Sequence, residues 1–301
     1  MSVRSIRTIL CTLLSAFVLT ESTSSQNSWP TERWAESPPA AEGLSPGALA
    51  KFDAEIAAGK YGFVDGMLVI RHGKIVYDRA YQHEYDKIYG REAAARGPLN
   101  AHDSTGPYNY FNPWVRFTID RPMAQEPGTT FRYNSGATQM LSHIFKAATG
   151  TDIEEYAARH LFAPLGIRRF FWKRSPSGLV DTEGGLYLRS HDIAKIAYLF
   201  LKNGMWDGKP IVQPEWVKAS IALSIPVGDA VEYGFKWWIY PYGSDGKRTA
   251  WGGSGLGGQR PLAIPEYDVI VVFTGWNLLP GRRSLSPRVA IDRIVGAIAK
   301  R

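Results

Sequence analysis

The 301-residue chain has a single cysteine, Cys11, which sits in an apolar run near the N-terminus. Downstream of it there is no thiol, which excludes a disulfide framework and a cysteine-ligated zinc site and suits an oxidising compartment. The six histidines, His72, His83, His102, His143, His160 and His191, include no HExxH or comparable ligand pair. No metal and no cofactor are therefore expected. Lys and Arg number 35 against 28 Asp and Glu, for a formal net charge of +7, yet the basic residues are scattered and pair at most as in Arg168-Arg169. Without a basic stripe, nucleic acid is not an expected partner.

A long apolar run is also lacking. "TILCTLLSAFVLT" (residues 8–20) is too short to span a bilayer comfortably. Arg4 and Arg7 precede it and "ESTSSQ" follows, the charged–apolar–small layout of an export signal. "RTILC" has no small residue before the cysteine, which argues against lipidation. The expected organisation is a signal peptide at 1–25, an extended Pro-rich lead-in at 26–44 and one folded domain at 45–301. The expected location is periplasmic or secreted, with no stable membrane span once the signal is removed.

Apolar residues make up 45% of the chain and charged residues 21%, and its length is enough to bury a full core. Ser45 and Pro46 have the residue types of a helix cap and first turn, with Leu49, Phe52 and Ile56 as the buried stripe. "FVDGMLVIR" and "KIVYDRAY", joined by His72-Gly73, predict a hairpin. From 82 to 114 Gly, Pro and Asn recur and no period is sustained, unusual inside a compact domain. Residues 135–150 predict an amphipathic helix with Met140, Leu141, Ile144, Phe145 and Ala148 on one face. Further helices are expected at 153–161, 191–203 and 214–222. Strands follow in "YGFKWWIYP", "KRTAWGG", "GGQRPLAIP" and "YDVIVVFTG", and then a last helix from Ser286-Pro287. The implied fold is α+β: an antiparallel sheet flanked by the N- and C-terminal helices, with a helical insert.

Five stretches taken together resemble the serine β-lactamase and penicillin-binding-protein superfamily, in particular its class C β-lactamase-like esterases and amide hydrolases. They are "MLVIRHGKIVYDRAY", "RPMAQEPGTTFRYNSGATQMLSHIFKAATG", "YAARHLFAPLGI", "DTEGGLYLRSHDIAKIAYLFLKNGMWDGKPIVQPEWV" and "WGGSGLGGQRPLAIPEYDVIVVFTGWN". The resemblance implies three motifs. In S-x-x-K, a helical turn sets a lysine beside the nucleophilic serine as its base. The second motif begins with a tyrosine that relays protons, and the third lies on a strand that helps build the oxyanion hole.

Tyr133-Asn134-Ser135 matches the second motif, which gives Tyr133 the relay role and leaves Ser135 as a supporting hydroxyl, a helix cap or a displaced nucleophile. Gly253-Ser254-Gly255 matches the third motif, with Gly253 where relatives carry Lys or His; the alternative is a glycine-rich strand kink. Trp237 and Trp251 are candidates to line a substrate groove, or else core aromatics. In "DTEGG", Asp181 and Glu183 follow a loop near the family site, with Gly184 and Gly185 serving the backbone.

The first motif is missing. Ser244-Asp245-Gly246-Lys247 is the one S-x-x-K in the chain, and it falls between two predicted strands. Ser104, in the interval where the nucleophile belongs, has no lysine at that spacing. An internal deletion near 114/115 accounts for this, and it would also expose the apolar face of Met140, Ile144 and Phe145. The expectation is therefore an impaired serine hydrolase whose relatives act on a small ester, amide or cell-wall peptide through an acyl-enzyme. The alternatives are an active hydrolase that uses Ser135 or Ser254, and a non-catalytic envelope protein that binds peptidoglycan.

Overall fold

In the computed structural model, residues 29–90 and 114–299 are described, apart from positions 176, 223, 224, 229, 230, 280 and 282. The expected signal peptide, Cys11 and Ser104 lie outside them. Ser45 Oγ accepts the Ala48 amide at 3.3 Å and starts helix α1 (Pro46–Ala57), whose Leu49, Phe52 and Ile56 are buried. His72 and Gly73 both take positive φ (51° and 74°), the two-residue turn that matches strand twist, and they join β2 (Val64–Arg71) to β3 (Lys74–Ala80).

These strands and β1 (Ala35–Glu36) form one side of a nine-stranded sheet. The other side contains β4 (Ile225–Gly228), β5 (Val231–Tyr233), β6 (Trp238–Tyr242), β7 (Arg248–Gly252), β8 (Arg260–Ile264) and β9 (Val269–Gly275). The order is β1-β3-β2-β9-β8-β7-β6-β5-β4, antiparallel except for β1 against β3. Strands β4 and β5 are too short to have shown a period in the sequence.

Central strand β9 pairs Val271 with Val69 on one side and with Leu262 on the other. Its alternate residues serve two cores. Val269, Val271 and Phe273 face α1 and the closing helix, while Ile270 and Val272 join Leu68, Ile70, Ala263 and Trp251 on the other face. A strand covered on both faces reads as an unbroken apolar run, as "VIVVF" does. Burying each such side chain contributes roughly 1.5–3 kcal/mol. In chain order the helices over these layers are α2 (Trp114–Ile119), α3 (Ser135–Thr149), α4 (Ser190–Leu201), α5 (Pro214–Ala222) and α6 (Pro287–Ala297).

Within the described part of the lead-in, Ala35–Glu36 form a short strand, and Trp34 is buried in the second core with its indole donating to His191 O at 3.1 Å. A 3-10 turn at Pro39–Glu42 places Glu42 against Lys74 Nζ (2.7 Å), His72 Nδ1 (2.8 Å) and Ser37 Oγ (2.9 Å). The Lys74 hydrogen bond, helped by those of His72 and Ser37, outweighs burial and pulls the Glu42 carboxyl down to about 2. The buried residues of α3 are Gly136, Gln139 and Ser142, while Leu141 and Ile144 of its apolar stripe are 43% and 53% exposed, an exposure the sequence led us to expect at Ile144.

Candidate active site

The approach to α3, "FRYN", ends in an extended Asn134 (φ −142°) whose Oδ1 accepts the Ala137 amide at 3.0 Å. Asn134 is therefore the cap of the helix, and Ser135 is its first helical residue. Just before the cap, the Tyr133 ring stacks on Trp238, with centroids 5.9 Å apart and planes at 20°. Tyr233 meets it edge-on at 6.4 Å, and Phe131 packs on both partners at 5.2 and 6.1 Å. Trp238 pairs with Gly252 at the end of β7, so the stack holds the predicted relay tyrosine beside the strand that runs into Gly253-Ser254-Gly255. Burial, and then the negative charge of Glu183, raise the Tyr133 pKa, which keeps the phenol protonated at neutral pH.

A buried side chain that the sequence pattern passed over joins Glu183's loop to the helix. Gln139 is 1% exposed; its amide nitrogen donates to Val180 O at 2.9 Å and its Oε1 accepts the Thr182 amide at 3.0 Å. Thr182 Oγ1 adds a bond to Thr138 O at 2.8 Å. Asp181 is buried, and burial followed by the Glu183 charge raises its pKa. A Cβ on Gly185 would lie 2.7 Å from Asp181 Cβ, so glycine is required there, whereas Gly184 has open space.

The third motif is a strand end bonded through its backbone. Gly253 N donates to Pro261 O at 2.9 Å and Gly255 N to Gln259 O at 2.8 Å, with Ser254 exposed between them. No hydrogen bond links the side chains of Tyr133, Ser135 and Ser254 to one another, and neither serine is bonded to Lys or His, among the described residues. Trp251 does not line a groove. It is 3% exposed and packs on Trp237 at 4.7 Å, which in turn meets Phe200 of α4 at 4.9 Å. Both indoles serve the second core, and Trp238 is the aromatic at the site. Ser244 and Lys247 lie in the exposed turn at the far end of β6, away from Trp238.

A second residue the sequence did not flag is Lys236. It has φ 69° in the turn before β6, its amide donates to Gly234 O at 2.9 Å, and its Nζ donates to Thr138 Oγ1. Partial desolvation by its neighbours pushes its pKa down, although the side chain reaches solvent. No carboxylate pairs with it among the described residues. No group of three or more His, Cys, Asp or Glu is placed to hold a metal, again among the described residues.

A family model described as Beta-lactamase matches residues 90–277, more than half of the chain. The chain belongs to the beta-lactamase family. A 6-aminohexanoate-dimer hydrolase of Paenarthrobacter ureafaciens is 26% identical over 161 residues, 48% of this chain and 39% of that protein. The chain thus spans well under two thirds of the length of this curated relative. Two solved structures share the fold. A protein assigned as a 6-aminohexanoate-dimer hydrolase from Bacillus anthracis has a TM-score of 0.59 at 17% identity, over 83% of this chain and 84% of that one. A class C beta-lactamase from Rhodobacter sphaeroides has a TM-score of 0.56 at 14% identity, over 84% of this chain and 99% of that one. Within this beta-lactamase-family fold, the α+β architecture expected from the sequence stands.

Proposed function

We propose that the chain is an impaired serine hydrolase of the beta-lactamase family. It keeps the tyrosine and the glycine-rich strand of an acyl-transfer site and lacks the nucleophile pair. One observation carries this reading. Tyr133, the relay candidate by its motif, stacks on Trp238, no serine–lysine pair accompanies it among the described residues, and the residue one helical turn after Ser135 is Thr138 rather than lysine. A phenol that relays protons needs an activated hydroxyl to serve. In a serine–histidine–aspartate enzyme, loss of the nucleophile leaves roughly 10³–10⁴-fold over water, and losing its base as well leaves no more.

The match to a 6-aminohexanoate-dimer hydrolase supports a small amide or ester as the substrate class, with a cell-wall peptide as the second candidate. The N-terminal export-signal pattern supports a periplasmic or secreted location. Intact-mass analysis after treatment with a fluorescent penicillin or a serine-reactive phosphonate tests the reading. The expected result is no stoichiometric adduct within minutes. Rapid labelling of one serine per chain contradicts it.

A further inference from the structure

Lys236 Nζ donates a hydrogen bond to the Thr138 hydroxyl, whereas Lys60, Lys74, Lys87, Lys195 and Lys202 meet carboxylates or backbone carbonyls. The Lys236–Thr138 contact lies within the site already described. Thr138 occupies the first turn of α3, three residues after Ser135, the spacing at which S-x-x-K sets its lysine beside the serine. Here the hydroxyl stands at that spacing and the amine arrives from another element.

The turn that delivers the amine is tightly specified. Gly234 N donates to Trp237 O at 2.9 Å, Lys236 N to Gly234 O at 2.9 Å and Phe235 N to Ser220 O at 3.0 Å. These bonds hold Lys236 in the left-handed region, which is unfavourable for a long side chain and recurs where surrounding structure fixes a functional group. Two residues on, Trp238 carries the Tyr133 ring, so the same turn that presents the amine leads into the strand that supports the segment before the cap. The Thr138 hydroxyl also donates to Asn134 O at 3.4 Å. That orients the ammonium as donor to Oγ1 in the resting form, and the bond reverses when the amine is neutral. With no carboxylate paired to it among the described residues, no ion pair opposes the desolvation that lowers the pKa of this solvent-exposed amine.

From this geometry we infer that Thr138 and Lys236 form a substitute hydroxyl–amine pair, able to take an acyl group from a small activated ester. Neutral Lys236 removes the Thr138 Oγ1 proton as Oγ1 bonds to the ester carbonyl carbon. The carbon–oxygen bond to the leaving alcohol breaks, and the ammonium returns the proton to that alcohol. Water then attacks the acyl-threonine, regenerating the hydroxyl and releasing the carboxylic acid. The inference rests on the proposed function in one respect: it names what performs residual chemistry once S-x-x-K is gone.

The full chain is incubated with p-nitrophenyl acetate, nitrophenol release is followed, and trapped acyl-protein is located by peptide mapping. Slow acylation is expected on Thr138, kept in Thr138→Ser and lost in Thr138→Val. Lys236→Met should slow it about 100-fold, within the usual range for a general base. Lys236→Arg should be equally slow, because it preserves the charge and cannot act as a base. An Arg variant as fast as the parent, or acylation of Lys236 itself, overturns the pair. No adduct at any residue overturns it too and leaves the impaired-hydrolase reading standing. A fast adduct at a serine overturns both.

Discussion

The doubly covered sheet and the α3 region are built to different standards. Strand β9 is fully enclosed between α1 and α6 on one face and α4 on the other, and its apolar run has no exposed residue from Val269 to Phe273. Helix α3 is the reverse: its buried face is Gly136, Gln139 and Ser142, and Leu141 and Ile144 stand in solvent. An amphipathic helix normally turns its apolar stripe inward. Contiguous exposed apolar surface on a soluble fold marks a place where something packs. Burial is thus concentrated in the sheet layer, whose central strand is covered on both faces, while α3 carries apolar side chains that stay exposed.

The widest contrast is between Phe273 and Ile144. Phe273→Ala opens a cavity in the first core and is expected to cost about 3–5 kcal/mol. Ile144→Ala removes an exposed side chain and should stay within about 0.5 kcal/mol. Urea unfolding of both variants measures the gap, and equal losses would show that α3 is as well packed as the sheet. Gln139 comes next, because it is the polar lock of the weaker region. Gln139→Leu keeps much of the volume but strands Val180 O and the Thr182 amide, for an expected loss of about 1–3 kcal/mol. Hydrogen exchange should show the unprotection confined to residues 180–185 and the first turns of α3, with β9 amides unchanged.

The same contrast explains what the sequence disclosed. Elements of the sheet layer were legible because pattern and packing agree: Ser45 caps α1, His72-Gly73 turns the hairpin, and Ile291 and Ile294 bury the closing helix. In the helical layer the period located α3 but not its buried face, since an apolar stripe is buried only when a neighbour exists to cover it. Tyr133 was singled out through its motif, whereas Gln139 and Lys236 carry no motif. A buried glutamine is recognised only from its partners, and Lys236 is presented by a backbone turn that the sequence does not encode as a period. Trp251 was left between groove and core because alternating aromatics fit both, and its packing with Trp237 and Phe200 of α4 decides for the core.

Acid sharpens the comparison from the side of the sheet. Glu42 titrates near 4.5 when unfolded and near 2 when folded, chiefly through Lys74. A depressed folded pKa stabilises fully above the unfolded value and loses that contribution as pH falls from about 4.5 toward 2. Melting temperatures followed across that window should fall less steeply in Glu42→Gln than in the parent, although the variant is the less stable of the two at neutral pH. Parallel curves would mean that the lead-in is not anchored by this carboxylate.

The smallest effect separates two neighbours at the start of α3. Because Asn134 Oδ1 holds the Ala137 amide, Asn134→Ala should cost about 1 kcal/mol, within the range for losing a cap, and Asn134→Gly only a few tenths. Ser135 makes no capping bond and already lies inside the helix, where alanine is the better helix former, so Ser135→Ala should be neutral or slightly stabilising. A cap loss of similar size at Ser135 would move the helix start by one residue. It would leave Thr138 and the rest of the helix where they are, because a cap sets only where the first turn begins and satisfies its free amides.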